Sequence, residues 1–371
     1  MISILHTADW HFKPIPEFYN SYNQILEFVK NETPDIVVIS GDVCDSRMIA
    51  SSTYSDMLNC ITQIAEYSPI IILYGTPSHD FKGCFDPFAK GQIYTKHPVT
   101  IIDNVDYQQF NIKDEAIIMG MAWPMKYRWL NDDEMIQLSL KEQNELYQGR
   151  LESYFEKIRN IKKESTVPLL WFSHLQLEGS KYSSGQDISS DSHSRSWVEN
   201  LADYVGLGHI HNYQPYYVGS IYNKNWGEME NKYFNTITIS NGKIKVKSHL
   251  IKTPMMIKIE CDFNEYQELK RNKTIQSPDS IEMIKLDGAN VWCRLVLQDQ
   301  GLINYEDEMN FWKNTCNMRL DLEKVENKVL SRIEDYDKNI SLFEKANLWA
   351  KNKNIELTDF QIDKIKELEL E

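Results

Sequence analysis

Short, unbroken apolar runs alternate with longer stretches whose apolar residues recur every three or four positions, over roughly the first 250 residues. Residues 2–6 form a short run. Residues 18–30 carry Tyr22, Ile25, Leu26 and Val29 at helical spacing, and 35–40 enclose Ile36-Val37-Val38-Ile39 before Gly41-Asp42. Helical spacing returns over 53–66, and 69–74 form a third apolar run ending at Gly75. Further strands are predicted at 116–121, 167–172 and 202–207, with a long polar helix over 132–163. Runs without polar alternation fit strands buried on both faces, and the helices between them supply the cover. The pair Asn241-Gly242, between strands at 236–240 and 243–249, predicts a hairpin turn.

Beyond Pro254 the texture changes. Strand-like stretches at 255–261 and 291–298 flank a polar helix near 264–271, a small α+β unit. From about residue 303 the chain reads as helical and highly charged. Leu322, Val325, Val329, Ile333, Tyr336, Ile340 and Phe343 form an apolar seam, and such a stripe must be buried against a partner or against the chain itself. Thr358 with Gln361 resembles a capping box that opens a last helix through Ile362, Ile365 and Leu368. Three parts are therefore expected: 1–252, 253–302 and 303–371.

The 371 residues are 42% apolar and 25% charged, a globular composition that argues against disorder. No run approaches the ~18 apolar residues of a membrane span, and the first residues carry no basic segment followed by a long apolar stretch, so a secretion signal is not expected. Six cysteines lie far apart with no C-x-x-C pair, which suits reduced thiols in a cytoplasmic chain. The net charge of −14 disfavours wrapping of a polyanion. Phosphate chemistry here calls for bound cations or for a partner's basic surface. Lys243, Lys245 and Lys247 share one face of a strand, either a phosphate-tracking edge or a solvated face.

The chemistry sits just after the strands. Asp9-x-His11 follows the first and Gly41-Asp42-x-x-Asp45 the second. Gly75-Thr76-Pro77-Ser78-His79-Asp80 follows the third, then His174, then Gly208-His209-Ile210-His211. Ligand crevices of α/β sheets lie at the carboxyl ends of strands, so five segments aim Asp and His at one place. Two divalent cations about 3.5–4 Å apart can activate water and clamp a phosphodiester. Such a pair needs a bridging carboxylate, for which Asp42 is suited. Oxygen and imidazole donors without thiolate favour manganese, iron or zinc. Taken singly, Asp9 reads equally as a cap, Asp45 as a turn residue and a lone histidine as structural.

Together these segments resemble the calcineurin-like metallophosphoesterase superfamily and, within it, the SbcD-type DNA exonucleases. Val218-Gly219-Ser220, Trp226-Gly227-Glu228 and Lys232-Tyr233 are similar to the block behind the last metal histidines of that nuclease branch. So is the stretch from Trp171 to Gly179 around His174. The resemblance covers about 1–250 and implies a four-layer α/β/β/α sandwich with a small α+β cap and a helical C-terminal tail. It implies one metal on Asp9, His11, Asp42 and His211, and a second on Asp42, His174 and His209. His79 would act on the phosphate, oriented by Asp80. Ser78 stands where the family's G-N-H-D pattern has an asparagine ligand, so a weak Ser78 ligand or a water is expected there, with a looser second metal.

The resemblance further implies Mn²⁺, with Mg²⁺, Fe²⁺ or Zn²⁺ as alternatives, and 3′→5′ exonuclease and single-strand endonuclease action on DNA. Its partner would be an SbcC-like SMC ATPase that binds the C-terminal helices, and a homodimer is left open. The setting is the cytoplasm of a bacterium, or of the host of a phage. A small-nucleotide phosphodiesterase, a phosphatase or a scaffold with a decayed site are the competing readings. Residues 180–195 read as a loop beside the metals. Trp10, Phe12, Tyr213, Tyr216 and Tyr217 are either stacking platforms for unpaired bases or core.

Overall fold

Period-two geometry sorts the apolar residues of each central strand into two sets, and each set finds its own cover. The structure is a computed structural model and describes residues 1–103, 108–183, 192–276, 283–285, 288–299, 304–313 and 316–324, with isolated positions beyond. The chain begins β1 (Ile2–Thr7), α1 (Pro16–Glu32), β2 (Ile36–Ser40), α2 (Ser51–Ala65), β3 (Ile70–Leu73), α3 (Asp86–Ala89) and β4 (Val99–Ile102). Then come β5 (Gln108–Ile112), β6 (Ala116–Met121), α4 (Lys126–Trp129), α5 (Asp132–Gln137), α6 (Leu140–Glu164), β7 (Leu169–His174) and β8 (Tyr204–Gly208). A hairpin of β9 (Lys232–Ser240) and β10 (Lys243–Ile251) follows.

These strands make two sheets, ordered β10-β9-β1-β2-β3-β4 and β5-β6-β7-β8. Strands β1 to β4 are parallel, and β9 joins β1 antiparallel. In the second sheet β6, β7 and β8 are parallel and β5 is antiparallel. Ile2, Ile4, Val38 and Leu73 turn inward and meet Ile118, Leu170 and Phe172 in one apolar layer between the sheets. Their neighbours Leu5, Val37, Ile39 and Ile72 face outward under Phe18, Tyr22 and Ile25 of α1 and Ile61 and Ile64 of α2. On the other flank Met119, Leu169 and Trp171 are covered by Tyr147, Leu151 and Phe155 of α6. Three apolar layers separate four layers of secondary structure, the α/β/β/α sandwich.

The hairpin follows the Asn-Gly expectation. Asn241 and Gly242 have φ of 51° and 71°, as a type I′ turn requires, with Ser240 paired to Lys243. Two edge strands, β4 and β5, have no counterpart in the sequence reading, because short, half-covered strands lack a continuous apolar run. The single helix expected over 132–163 is two, α5 and α6. Asn131 with Glu134 and Ser139 with Glu142 each form a complete capping box, so the second start interrupts the first helix.

Further on lie β11 (Met255–Cys261), α7 (Phe263–Asn272), β12 (Thr274–Gln276), β13 (Met283–Lys285), β14 (Gly288–Asp299), α8 (Tyr305–Lys313) and β15 (Cys316–Lys324). One compact unit comprises Met1–Ile257 with Leu286–Arg294, the other Lys258–Lys285 with Leu295–Glu371. The expected start of the tail at 303 is not a break, since α8 and β15 belong to the second unit. Nor is the tail helical throughout: β15 joins β11 and β14 in a three-stranded sheet. Cys316, Met318, Leu320 and Leu322 alternate strictly with polar residues, a strand period that outranks the helical spacing beginning at Leu322. The rest of the seam, Val325 to Phe343, lies outside the described residues. The Ile362 N–H donates to the Thr358 carbonyl at 3.0 Å, a first helical bond at the expected cap. Gln361, Ile365 and Leu368 lie outside the described residues.

Candidate metal centre

The loops after β1 and β2 continue the parallel pairing of their strands. Asp9 N–H donates to the Gly41 carbonyl at 3.1 Å, and His11 N–H to that of Asp42 at 2.9 Å. Asp9, His11 and Asp42 all adopt left-handed backbone, with φ of 50°, 40° and 50°, and His209 has φ of 97°. Such conformations are costly for side-chain-bearing residues and concentrate at functional sites. Here they turn four side chains back over the strand ends. A side chain at Gly75 would also be fatal to the arrangement, since a Cβ there would lie 2.1 Å from Asp42 Oδ1.

Two sets of donors result. Asp9, His11 and His211 bring ligand atoms within 4.8 Å of one another, and so do Asp42, His174 and His209; His11, Asp42 and His79 form a further such group. Asp42 Oδ2 lies 3.3 Å from His174 Nε2 and 3.9 Å from both His11 Nε2 and His79 Nε2. The Nε2 atoms of His11 and His211 are 2.8 Å apart.

Outward hydrogen bonds fix the rings. His174 Nδ1 donates to the Ser40 carbonyl at 2.7 Å, which leaves Nε2 buried, unpartnered and facing Asp42. Nδ1 of His211 is held by Glu228 Oε1 at 2.8 Å, and Nε2 of His209 by Gln176 Oε1 at 2.7 Å. His79 Nδ1 meets the Asp45 carbonyl. In each ring the opposite nitrogen is left to face inward, the arrangement that orients metal-binding imidazoles. Asp9 is held in turn, its two oxygens accepting from His209 N–H at 2.9 and 3.0 Å.

Electrostatics prepare the same state. Burial pushes Asp42 up, but His174, His11 and His79 around it win and hold it well below the usual carboxylate range. Burial lowers His174, and the adjoining Asp42 more than offsets this, raising it to about 9. His209 falls to about 3 through burial and neighbouring histidines, and His11 is lowered by burial and then His211. Asp9 rises to about 6, chiefly through burial. An ionised Asp42 beside the neutral imidazoles of His11 and His209 is part of a donor set for a divalent cation, and a cation there would displace the proton from His174, whose unpartnered Nε2 fits a cation ligand.

Three expected residues behave differently from their assigned parts. Asp80 does not touch His79: its oxygens accept from Cys44 N–H at 2.9 Å and Gly75 N–H at 2.8 Å, clamping the second ligand loop to the third. Ser78 is exposed, and its hydroxyl lies 3.0 Å from that of Thr76. Thr76, not Ser78, reaches Asp42, through its N–H at 2.6 Å and its hydroxyl at 3.0 Å. Asp45 holds His79 through its carbonyl, and its carboxylate pairs with Lys13 and Lys224, each at 3.2 Å.

Sequence reasoning assigned no part to Thr76, Gln176, Lys224 or Ser40. Gln176 stands two residues after His174, a usable spacing. Ser40 acts through its carbonyl and is invisible in a sequence. Glu228, quoted only as part of a block, is buried and shared among His211, Ser220 and Lys232, the last at 2.8 Å. Trp10 and Phe12 are core. Tyr182 and Ser183 line a cleft of about 280 Å³ with His209 and His211; residues 184–191 of the same loop lie outside the described residues.

A model of the calcineurin-like phosphoesterase family matches residues 2–213, more than half of the chain and all of the ligand-bearing loops. The chain belongs to that family. It is therefore a metallophosphoesterase, a phosphoester hydrolase whose Asp and His clusters are candidates for a dinuclear metal site. It is 25% identical over 301 residues to the SbcD component of nuclease SbcCD from Staphylococcus epidermidis, spanning 72% of this chain and 74% of that one. Among solved structures, a dimetal phosphatase from Danio rerio is similar with a TM-score of 0.42 at 10% identity, covering 67% of this chain and 98% of that one. GAP50, the anchor in the inner membrane complex of Plasmodium, has a TM-score of 0.40 at 14% identity, with 87% and 98% covered. Among the described residues no helix is long and apolar enough to cross a membrane.

Proposed function

We propose that this metallophosphoesterase is a DNA nuclease, a 3′→5′ exonuclease and single-strand endonuclease that works with an SbcC-like SMC ATPase in DNA end processing. The observation that carries this reading is the place of Asp42 in two donor groups, one with His11 and His79 and one with His174 and His209, in a chain similar over most of its length to a nuclease component. Asp9, His11, Asp42 and His211 would hold one cation, and Asp42, His174 and His209 the other. Bound there, two divalent ions supply an activated water and offset the charge of the phosphodiester. The thiolate-free set suits manganese, iron or zinc, and manganese is the cation this reading assigns by its resemblance to the SbcD-type nucleases.

The chain's own groups do the rest. His79, with Nδ1 fixed by Asp45, turns Nε2 toward Asp42 and steadies the phosphate or carries a proton to the leaving oxygen. Asp80 and Thr76 keep the second and third ligand loops in register. The acidic surface repels duplex DNA, which accords with help from a partner, and the cytoplasm is the compartment this reading assigns.

Manganese titration of single-stranded DNA cleavage, in wild type and His79→Ala, tests it. Wild type should cleave, and the variant should lose about 10²–10⁴-fold in rate with metal stoichiometry kept. Turnover of bis-p-nitrophenyl phosphate without DNA cleavage would assign a small-molecule phosphodiesterase instead.

A further inference from the structure

Two ammonium groups share one carboxylate at the rim of the metal centre. Lys13 Nζ lies 3.2 Å from Asp45 Oδ2, and Lys224 Nζ lies 3.2 Å from Asp45 Oδ1. One negative charge between two positive ones leaves an excess cation, in a chain whose net charge is −14. The Lys224 side chain is 20% exposed and that of Lys13 38%, so both are open to a ligand from solvent. Lys224 meets Asp45 as an ion contact alone, because Asp45 Oδ1 is buried and accepts no hydrogen bond. Among the described residues the Lys224 ammonium bonds only His11 Nδ1, at 3.1 Å. An ammonium has three N–H donors, so two remain for a ligand.

The lysine is held where it stands. Its N–H donates to Glu228 Oε2 at 3.2 Å, and the adjoining Asn225 Nδ2 donates at 2.9 Å to Glu228 Oε1, the oxygen that also holds His211. His11 Nε2 faces Asp42 and His211, and Nδ1, the far edge of the ring, faces Lys224. The His79 ring lies 4.4 Å from that of His11, with its Nδ1 on the Asp45 carbonyl. A phosphate over Asp42 and His79 is therefore separated from Lys224 by the width of the His11 ring. An anion that meets Lys224 is a second one, carried by the same substrate. In a nucleic acid strand that anion is the neighbouring phosphate, whereas a phosphomonoester or an isolated diester has none. An ammonium, a compact charge with rotatable donors, meets a phosphate oxygen without demanding one geometry.

We propose that Lys224 binds the phosphate adjoining the scissile one, so that the metal centre receives a strand and not a lone phosphoester. The inference rests on the nuclease reading and names the feature of the substrate that this site selects, a chain of at least two phosphates. Lys13 keeps Asp45 from neutralising Lys224, and the pair supplies locally the positive charge that the acidic chain lacks overall. Contact with the backbone carries no base information, so the selection is tolerant of sequence.

The test compares initial rates of the full chain on thymidylyl-thymidine, which has one phosphodiester, and on tetrathymidylate, which has neighbouring phosphates. Wild type should gain about tenfold or more in kcat/KM from the shorter to the longer substrate. Lys224→Gln should gain only about twofold or less, and Lys224→Arg, which retains the charge, should keep most of the gain. Thermal melting checks that both variants are folded. A second readout needs no turnover: binding of a single-stranded oligothymidylate, followed by fluorescence anisotropy in EDTA across a range of KCl. Each phosphate contact removed lowers the slope of log affinity against log salt by about 0.7, so Lys224→Gln should differ from wild type by that amount. A gain kept in folded Lys224→Gln, or an unchanged slope, would overturn the proposal. An equal loss on both substrates is the first of these results and would make Lys224 a support for His79. A wild type that cleaves neither substrate, with the slope still lowered in Lys224→Gln, would sink the nuclease reading and leave the phosphate contact standing.

Discussion

Nε2 of His174 sits 3.3 Å from Oδ2 of Asp42 and has no hydrogen-bond partner, while Nδ1 of the same ring is bound to the Ser40 carbonyl. A buried imidazole whose free nitrogen faces a buried carboxylate needs a proton or a cation between them. The raised pKa of His174, about 9, is the proton solution; a divalent cation is the competing one.

Manganese should therefore stabilise the fold. At about 100 times its dissociation constant it adds roughly 2.7 kcal/mol, a rise in Tm of about 3–5 °C for a chain of this size. Asp42→Asn, which removes the charge that lies against both His11 and His174, should reduce that rise to about 1 °C or less. Differential scanning calorimetry with and without Mn²⁺ reads both.

Thr76 and Ser78 should behave unequally, because only Thr76 bonds Asp42. A hydrogen bond to a charged group contributes about 1.5–3 kcal/mol, so Thr76→Val should weaken Mn²⁺ binding about tenfold or more. Ser78→Ala should stay within about twofold. Equal losses in a calorimetric titration would return Ser78 to the metal.

Glu228 gives the pH dependence. Burial raises its pKa, but the His211 hydrogen bond and the Lys232 charge outweigh burial and lower it to about 2. A depressed carboxylate contributes stability that is present above its unfolded value of ~4.5 and is lost as pH falls through 2. The contribution at neutral pH is about 3 kcal/mol. Glu228→Gln should lose an amount of that order at pH 7 and unfold with a flatter pH profile between about 4.5 and 2. It should also bind Mn²⁺ about 10–100-fold more weakly, since it orients His211. Chemical denaturation across pH measures the first two effects.

Truncation must respect β15. Removing 325–371 spares the strand Cys316–Lys324 and takes away the apolar seam from Val325 onward. The shortened chain should keep Mn²⁺-dependent turnover of bis-p-nitrophenyl phosphate and lose co-purification with an SbcC-like ATPase. Retained binding would place the partner's contact elsewhere.

The parts of the molecule readable in its sequence are those where one physical demand dominates. Ile36 to Ile39 and Ile70 to Leu73 are buried on both faces and announce themselves as apolar runs. Asn241-Gly242 meets a backbone requirement that few pairs satisfy. The donor residues stood out because each follows such a run. Cys316 to Lys324 was obscured because two periods overlap at Leu322. Roles carried by backbone atoms, such as the carbonyls of Ser40 and Asp45, leave no trace in residue type. Asp80 was assigned to the neighbouring His79, yet its carboxylate serves Cys44 N–H and Gly75 N–H, a bond pattern that only the folded loops create.

The central claim is a cation pair astride Asp42. Anomalous scattering from crystals grown with Mn²⁺ measures it most directly. Two peaks about 3.5–4 Å apart are predicted, one beside Asp9, His11 and His211 and the other beside His174 and His209, with Asp42 between them. A single peak, or none at saturating Mn²⁺, would contradict the account.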